Sequence, residues 1–279
     1  MKKFYGVLGC PIAHSMSPDM HNDLFSYYGI DAAYHPFHVE KDDLEEAIKG
    51  LRAIGAGGFN VTIPHKTAVI PLLDKVDPLA LAIGAVNTVV NNQGVLTGYN
   101  TDGRGFVKSL AGSLKSLSDK KTLIVGAGGA ARAIYFSLAE AGIREIDICN
   151  RTAEKAEGLA ASCPFPVSTS ILGMERAGEQ LDQYDLVVQT TSIGMDPDTE
   201  QIPFAVRKVK EGSLAVDIIY NPLETRFLRE AAALGARIQN GIGMFVYQGA
   251  LAFEKWTGIF PDTGRMKEKV LKQLGGSSC

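Results

Sequence analysis

A glycine turn between a buried strand and a helix is the feature of this sequence that most limits its possible folds. The segment TLIVGAGGAARAIYFSLAEAG matches the pattern G-x-G-x-x-G/A, with Gly126, Gly128 and Ala131 at the three defining positions. Glycines let such a turn close and let the backbone approach a pyrophosphate, which the N-terminus of the following helix attracts. The segment therefore predicts a Rossmann-type domain that binds a dinucleotide, and the alternative is a tight turn without a ligand.

Strand-like and helical segments alternate on both sides of this turn and predict an α/β protein with two domains. The 279 residues exceed one ordinary α/β domain. YGVLG, AAYHPFHV and GGFNVTIP predict a mostly parallel first sheet, and AVNTVVNNQGVLTGYN predicts a hairpin. Five later strand candidates are KKTLIVGAGG, REIDICN, YDLVVQTT, GSLAVDII and ARIQNG. We expect a substrate-binding catalytic domain over 1–103, a dinucleotide-binding domain over 104–240, and C-terminal helices over 241–279 that pack on the first domain.

Charge and composition argue against several classes of partner. The formal net charge is −3 without a dense Lys/Arg block, which disfavours nucleic-acid binding. No apolar run approaches the ~18 residues of a membrane helix, and the start MKKFYGVLG resembles a strand rather than a signal peptide. Cys10, Cys149, Cys163 and Cys279 lack metal or disulfide spacing, as expected for a reduced cytoplasmic protein. The final GGSSC resembles a frayed end or a remnant of expression.

The residues after the second strand of the nucleotide domain predict which dinucleotide binds. NAD-binding domains usually place Asp or Glu there, to hold the ribose hydroxyls. This chain places Asn150, Arg151 and Thr152 there, with Lys155 close behind. A carboxylate would repel a 2′-phosphate, whereas a guanidinium binds one through paired hydrogen bonds. The pattern predicts NADP, and the alternative is a solvated arginine at a helix start.

Four polar clusters in the first domain lie mostly at strand ends, where α/β sheets bind ligands. Each alone is more typical of turn chemistry, and a helix N-cap would explain Ser17 but not Ser15. The clusters are HSMSP with Ser15 and Ser17, NVTIPHK with Thr62 and Lys66, GAVNT with Asn87, and GYNTDG with Asp102. Together they predict a substrate site.

Lys66 and Asp102 are the predicted groups for proton transfer. All five histidines precede Lys66, and none forms a metal-binding pattern such as HExxH. We interpret His14, His21, His35, His38 and His65 as non-catalytic, and we expect no metal. Proton transfer then falls to Lys66, with Asp102 as its partner.

Two later segments add candidate ligand contacts. Tyr220 follows a strand of the nucleotide domain. Gln248 lies at helical spacing in a stripe with Met244, Tyr247 and Leu251, which we expect to be buried. A buried amide needs hydrogen-bond partners, which either a ligand hydroxyl or a backbone carbonyl would provide.

The sequence resembles the shikimate dehydrogenase family, and the matching segments are spread over essentially its whole length. The matching segments are HSMSP, NVTIPHK, GAVNT, GYNTDG, GAGGAARA, NRT, TSIGM, DIIYNPLET and GIGMFVYQ, in this order. The resemblance implies an NADP-dependent interconversion of 3-dehydroshikimate and shikimate, a step towards aromatic amino acids and folate. It also implies that Lys66 is the acid/base residue and Asp102 its hydrogen-bonded partner.

The resemblance implies further roles, which we state as expectations. The substrate carboxylate would be bound by Ser15 and Ser17, and the ring and its hydroxyls by Thr62, Asn87, Tyr220 and Gln248. The pyrophosphate would be bound by Gly126, Ala127, Gly128, Gly129 and Ala130. The adenosine phosphate would be bound by Asn150, Arg151, Thr152 and Lys155, and the nicotinamide side by Ile218 and Gly241.

Three alternatives stay open at this point. The first is a quinate/shikimate dehydrogenase with NAD preference, which the Asn150–Thr152 run disfavours. The second is another two-domain NADP enzyme, such as a methylenetetrahydrofolate dehydrogenase, which the substrate-side segments disfavour. The third is a catalytically inactive NADP-binding regulatory protein, which the presence of Lys66 and Asp102 disfavours. The sequence does not distinguish a monomer from a homodimer.

Overall fold

The structure is a computed structural model that describes residues 2–275 and forms two compact units. One unit contains Met1–Thr101 with Val246–Cys279, and the other contains Asp102–Phe245. From the sequence, we predicted boundaries after residues 103 and 240. From Gly276 onward, the predicted GGSSC tail lies outside the described residues.

Helices separate most of the strands along the chain, as is typical of an α/β fold. The chain begins with β1 (Lys3–Gly9), α1 (Ser17–Tyr27), β2 (Ala32–His38), α2 (Leu44–Ala53), β3 (Gly58–Val61), β4 (Lys75–Val76), α3 (Pro78–Ile83), β5 (Thr88–Asn92) and β6 (Val95–Tyr99). The second unit contains α4 (Asp102–Ser109), β7 (Lys121–Val125), α5 (Gly129–Glu140), β8 (Glu145–Cys149), α6 (Ala153–Ala161), β9 (Ile171–Leu172), α7 (Met174–Glu179), β10 (Leu186–Gln189), β11 (Leu214–Asp217), α8 (Arg226–Ala233) and β12 (Arg237–Gln239). The chain continues with α9 (Ile242–Thr257) and α10 (Thr263–Gln273).

The sheet of the first unit is mixed, with the described strands in the order β2-β1-β3-β5-β6-β4. β2, β1 and β3 pair in parallel, whereas β5 is antiparallel to β3 and to β6. The predicted β5–β6 hairpin turns at Gln93 and Gly94, which have φ values of 54° and 89°. The Asn91 side chain accepts a hydrogen bond from the N–H of Gly94 at 2.8 Å and closes this turn. The sequence did not predict β4, because two residues carry no periodic signal.

The sheet of the second unit is parallel throughout the described strands, in the order β12-β11-β10-β7-β8-β9. The five predicted strands correspond to β7, β8, β10, β11 and β12, and only the two-residue β9 was missed. Parallel strands share one carboxyl edge, so the residues that follow β7, β8, β10 and β11 lie along the same edge. The structure confirms the predicted fold class, in which a Rossmann-type unit accompanies an α/β substrate unit.

The last two helices pack within the first unit from Val246 onward. The indole N–H of Trp256 donates to the backbone oxygen of Val89 in β5, at 3.0 Å. In α10, Arg265 binds the Asp23 carboxylate of α1 through two hydrogen bonds, one of 2.9 Å. Across residues 2–275, no helix combines the length and the apolar character that crossing a membrane requires.

Candidate functional site

Lys66 follows β3, where backbone hydrogen bonds define the path of the chain. The N–H of Thr62 donates to the carbonyl of Leu8 at 2.9 Å, and the N–H of His65 donates to the carbonyl of Thr62 at 2.8 Å. The carbonyl of Lys66 accepts a hydrogen bond from the N–H of Val86 at 2.8 Å. The Lys66 backbone is therefore held against the segment that leads into β5. Both Thr62 and Lys66 are half-buried.

Asn87 connects this segment to the chain that leads into Asp102. Its side-chain oxygen accepts from the N–H of Thr101 at 2.8 Å, and its amide nitrogen donates to the Thr101 hydroxyl at 2.9 Å. The backbone N–H of Asn87 donates to the carbonyl of Tyr99 at 3.0 Å. Asn87 is 3% exposed, so it has a structural role in addition to its predicted contact with substrate. Residues 86 and 87 thus bind the Lys66 backbone and the residues that immediately precede Asp102.

Asp102 begins α4 rather than ending β6, where the sequence analysis had placed it. The carboxylate therefore lies at a helix N-terminus, where the helix dipole favours negative charge. Asp102 is half-buried, which leaves part of its side chain accessible.

Tyr34 is the centre of a buried polar network that the sequence analysis missed. Its hydroxyl donates to the side-chain oxygen of Asn60 at 2.7 Å and hydrogen-bonds to the Ser17 side chain. Desolvation by burial raises the pKa of Tyr34 well above its usual value. The Asn60 amide in turn donates to the carbonyl of Asn87 at 3.0 Å. The sequence did contain a signal for this network. Side chains alternate along β2, which places Tyr34 on the buried face, where a phenol needs a hydrogen-bond partner.

Ser17 does not form the N-cap that was considered from the sequence. Helix α1 begins at Ser17 itself, and no side chain caps it. Instead, the Ser15 hydroxyl oxygen accepts from the N–H of Ser17 at 3.3 Å. The hydroxyl of Ser17 is engaged by Tyr34, whereas within residues 2–275 the Ser15 O–H donates to no protein acceptor. Ser15 can therefore offer its hydrogen to an anionic ligand.

The glycine turn between β7 and α5 has the backbone that its motif predicts. Gly126 has a φ of 115°, and its N–H donates to the carbonyl of Cys149 at 2.7 Å. A Cβ at Gly126 would lie 2.6 Å from the Thr190 hydroxyl oxygen, so no larger residue fits. Beside Gly128 and Gly129, by contrast, a Cβ would meet nothing within 4 Å.

The first turn of α5 is suited to an anion. No side chain caps this helix, and no acidic residue lies in its first turn. Its N–H groups and positive dipole end therefore remain for a ligand such as a pyrophosphate. Ala127 and Ala130, which complete the predicted loop, are both half-buried.

The Asn150–Lys155 segment presents two exposed cations beside the end of β8. The Asn150 amide donates to the carbonyl of Thr152 at 2.8 Å and closes the turn into α6. Arg151, Thr152 and Lys155 are exposed. Within the described part of the chain, neither cation forms an ion pair with a carboxylate. Both are therefore available to a phosphate group.

Ile218 and Gly241, predicted at the nicotinamide side, lie in contact. The N–H of Gly241 donates to the carbonyl of Ile219 at 2.9 Å. A Cβ on Gly241 would lie 1.9 Å from the Ile218 oxygen, so only glycine fits at this approach. The neighbouring Tyr220 is half-buried, its ring centroid lies 5.4 Å from that of Phe245, and burial raises its pKa.

The Gln248 stripe of α9 differs from the prediction. Met244, Tyr247, Gln248 and Leu251 are only partly buried, whereas Val246, Ala250 and Phe253 form the buried face. Apolar residues lie on both faces of this helix, so the 3.6-residue period fits two stripes and does not identify the buried one. The partial exposure of Gln248 leaves its amide accessible.

Asp217, at the end of β11, is a buried carboxylate that the sequence analysis did not identify. It is 0% exposed and accepts hydrogen bonds from the Thr225 hydroxyl at 2.8 Å and from the N–H of Ile219 at 3.0 Å. Desolvation raises its pKa from 3.8 to about 6, although these hydrogen bonds act in the opposite direction. This carboxylate supports the turn that leads to Ile218.

We expect Asp217→Asn to change how stability depends on pH. Because the folded pKa exceeds the unfolded one, the folded state binds an additional proton between pH 3.8 and about 6. The contribution of Asp217 to the free energy of unfolding therefore falls as pH rises through this window, by roughly 1.4 kcal/mol for each pH unit. The measurement is thermal denaturation at a series of pH values from 4 to 7. The melting temperature of Asp217→Asn, minus that of the wild type, should increase as pH rises.

Asp185→Asn is the control of opposite sign. Burial opposes ionisation of Asp185, but hydrogen bonds from Lys210 and from the N–H of Lys121 outweigh it and lower the pKa overall. The melting temperature of the wild type, minus that of Asp185→Asn, should therefore increase as pH rises. Parallel pH profiles for the wild type and Asp217→Asn would contradict the interpretation.

Comparisons with known proteins agree with this geometry. Residues 7–89 match the model of the shikimate dehydrogenase substrate binding domain. Residues 108–222 match the shikimate / quinate 5-dehydrogenase model, and residues 241–271 match the shikimate 5′-dehydrogenase C-terminal domain.

Individual relatives cover nearly the whole chain. A shikimate dehydrogenase (NADP(+)) from a Geobacillus species is 56% identical over 277 residues, which are 99% of this chain and 100% of that protein. The structure of shikimate 5-dehydrogenase from Thermus thermophilus, in complex with NADP(H) and shikimate, has a TM-score of 0.87 and 38% identity, covering 97% of this chain and 99% of that one. That of the Listeria monocytogenes enzyme, in complex with shikimate and NAD, has a TM-score of 0.90 and 35% identity, covering 96% of both chains.

Proposed function

Because the chain belongs to the shikimate dehydrogenase family, we propose that Lys66 and Asp102 are the acid–base pair of its reaction. The chain is an NADP-dependent oxidoreductase that reversibly reduces 3-dehydroshikimate to shikimate. The proposal is supported by one observation above all. The carbonyl of Lys66 and the N–H of Thr101, the residue before Asp102, bind to the adjacent residues Val86 and Asn87.

In the reductive direction, Lys66 would donate a proton to the carbonyl oxygen of the substrate. NADPH, when bound, would supply the hydride for the carbonyl carbon. The ammonium of Lys66 would neutralise the negative charge that develops on the carbonyl oxygen, by proton transfer. The carboxylate of Asp102 would orient the ammonium and stabilise its charge. In the reverse direction, neutral Lys66 takes the hydroxyl proton of shikimate.

The residues of the second unit fit NADP. The uncapped first turn of α5 suits the pyrophosphate, and the space beside Gly128 and Gly129 is open. We assign the 2′-phosphate to Arg151 and Lys155, with Asn150 and Thr152 beside them. We assign the nicotinamide side to Ile218 and Gly241.

We assign the substrate carboxylate to Ser15 and Ser17, and the ring and hydroxyls to Thr62, Asn87, Tyr220 and Gln248. The two serines would contribute differently. Ser15 has a hydroxyl hydrogen available for the carboxylate, whereas the hydroxyl of Ser17 is engaged by Tyr34. The N-terminus of α1 adds a favourable dipole for the anion.

Ser15→Ala should raise KM for shikimate about tenfold or more, the cost of one hydrogen bond to a charged group. Its melting temperature should change little, because the one bond lost within the protein, at 3.3 Å, is long. Ser17→Ala is the matched control and should also lower the melting temperature, because it removes a buried partner of Tyr34. Steady-state kinetics and thermal denaturation of both variants provide the measurement. An unchanged melting temperature in Ser17→Ala would contradict its structural role beside Tyr34. A lowered melting temperature with normal KM in Ser15→Ala would contradict the role of Ser15 in binding the carboxylate.

A four-way spectrophotometric assay tests the proposed function. Shikimate and quinate are each offered with NADP and with NAD, and formation of the reduced cofactor is followed. We expect shikimate with NADP to give the highest kcat/KM. Faster turnover of quinate with NAD would favour a quinate/shikimate dehydrogenase, and the absence of turnover with all four pairs would favour a regulatory protein.

The proposal extends to the state and location of the protein. We propose that it acts in the cytoplasm on small molecules, without a nucleic-acid or membrane partner, as a monomer or homodimer. The net charge of −3 and the three described cysteines, which are all free, support this setting. Light scattering during size-exclusion chromatography measures the oligomeric state.

A further inference from the structure

Cys10, His38 and Glu40 form a compact side-chain cluster that plays no part in the proposed reaction. The Cys10 sulfur lies 3.6 Å from Nε2 of His38 and 3.3 Å from Oε2 of Glu40. Nε2 of His38 lies 2.9 Å from Oε1 of Glu40. A thiol, an imidazole and a carboxylate therefore converge on one point. The sequence analysis found no metal spacing here because 28 residues separate Cys10 from His38.

The backbone holds the three residues in place at the carboxyl ends of two parallel strands. Cys10 directly follows β1, and His38 ends β2, where it pairs in register with Gly9. The N–H of Val39 donates to the carbonyl of Gly9 at 3.2 Å. The side chains of His38 and Glu40 lie on the same side of the chain, because Nε2 of His38 is 2.9 Å from Oε1 of Glu40.

The adjacent loop reinforces this arrangement from the other side. The ring of His65 is buried and hydrogen-bonds through Nε2 to the carbonyl of Val39, at 2.7 Å. The N–H of Cys10 donates to the carbonyl of Ile63 at 3.1 Å. The cluster is therefore attached at two points to the loop that carries Lys66.

The donor set and its dimensions suit a tetrahedral metal ion. With metal–sulfur bonds of about 2.3 Å and metal–nitrogen or metal–oxygen bonds of about 2.0–2.1 Å, neighbouring ligand atoms of a tetrahedron lie roughly 3.3–3.6 Å apart. The three distances here, 2.9–3.6 Å, approach these values before any adjustment. Zinc binds thiolate, imidazole and carboxylate ligands, and three protein ligands leave a fourth position for water.

We propose that Cys10, His38 and Glu40 form a binding site for Zn²⁺ in the first unit. The ligand atoms are the Cys10 sulfur, Nε2 of His38 and one carboxylate oxygen of Glu40. The side chains of His38 and Glu40 are 55% and 63% exposed, so an ion reaches them directly from solvent. Binding forms a metal–thiolate bond and releases the thiol proton of Cys10 to the buffer.

The protonation state of the cluster makes this site dependent on pH. The Cys10 thiol donates its hydrogen bond to Oε2 of Glu40. A metal ion binds the deprotonated thiolate, so Zn²⁺ must displace this proton. Affinity should therefore increase with pH.

Titration of Zn²⁺ against a chromophoric chelator tests the site. The protein is used without an affinity tag and in a Cys279→Ser background, so that the C-terminal thiol does not compete. We expect one Zn²⁺ per chain, at least tenfold weaker binding in Cys10→Ser, His38→Asn and Glu40→Gln, and tighter binding at pH 8 than at pH 6. Substituting Co²⁺ should give a thiolate-to-metal charge-transfer absorption that Cys10→Ser lacks.

Cys163→Ser is the matched control, because Cys163 is also a partly buried free thiol but belongs to no such cluster in the described residues. It should bind Zn²⁺ as the background protein does. All variants should keep their melting temperature and their metal-free turnover of shikimate. Equal affinity in Cys10→Ser and Cys163→Ser, or a Co²⁺ spectrum without the thiolate absorption, would overturn the proposal.

Discussion

Replacing Lys66 with Met is expected to lower kcat by about 10²–10⁴-fold, the usual contribution of a general acid–base residue. Methionine keeps the length and the apolar stem but removes the transferable proton and the charge. Affinity for shikimate should change less, because Ser15 and Gln248 still hold the ligand. The variant should remain folded, since Lys66 is half-buried and its backbone carbonyl still accepts from Val86.

The measurement is steady-state kcat across pH, with shikimate binding determined separately. The kcat of Lys66→Met should stay low at every pH tested, because methionine has no proton to transfer. Lys75→Met is the matched control: this lysine lies exposed in β4 of the same unit, and its replacement should leave kcat unchanged. Near-normal kcat in Lys66→Met would mean that another group moves the proton.

Asp102→Asn tests whether the two residues act as a unit. The amide keeps the shape of the side chain but removes the negative charge that would hold the ammonium. We expect a large loss of kcat in this variant. The double mutant should lose less than the product of the two single effects, because residues that share one function are not additive. If the loss of kcat in the double mutant equals the product of the two single losses, Lys66 and Asp102 act independently.

Features encoded within one short segment could be predicted from the sequence. The turn at Gly126 is evident from glycine spacing, because its positive φ and the Thr190 side chain beside it admit no other residue there. The hairpin turn at Gln93 and Gly94 is equally local. The order of strands and helices could be predicted from such local signals. The catalytic candidates Lys66 and Asp102 lie in segments next to the predicted strands.

Features that depend on long-range pairing could not be predicted in this way. Tyr34 meets Asn60 and Ser17 only because β2 and β3 both pair with β1 and α1 packs on β2. Cys10 meets His38 only through the register of two parallel strands. The spacing of these residues along the chain does not indicate either contact. The buried carboxylate of Asp217 belongs to the same class, because its desolvation and its partners exist only in the folded state.

Arg151→Ala should raise KM for NADP roughly ten- to a hundredfold, the loss expected from about 1.5–3 kcal/mol of hydrogen bonding to a charged group. Arg151 is exposed, and no acid in the described residues pairs with it, so its charge is available to the 2′-phosphate. The reaction with NAD should change little, because NAD has a hydroxyl at that position. Arg151→Lys should recover only part of the loss, since lysine keeps the charge but not the paired donors.

The comparison between the two cofactors is what makes the Arg151 experiment decisive. Arg207→Ala, a matched control in the same unit, removes an exposed arginine that already faces Glu179 at 3.8 Å and should affect neither cofactor. Lys155→Ala should weaken NADP less than Arg151→Ala, because an ammonium binds phosphate as a point charge. The NADP effect should also shrink at high ionic strength, as expected for an exposed charge pair. Equal losses with NADP and NAD would place Arg151 against a part common to both cofactors, and the specificity would then lie elsewhere.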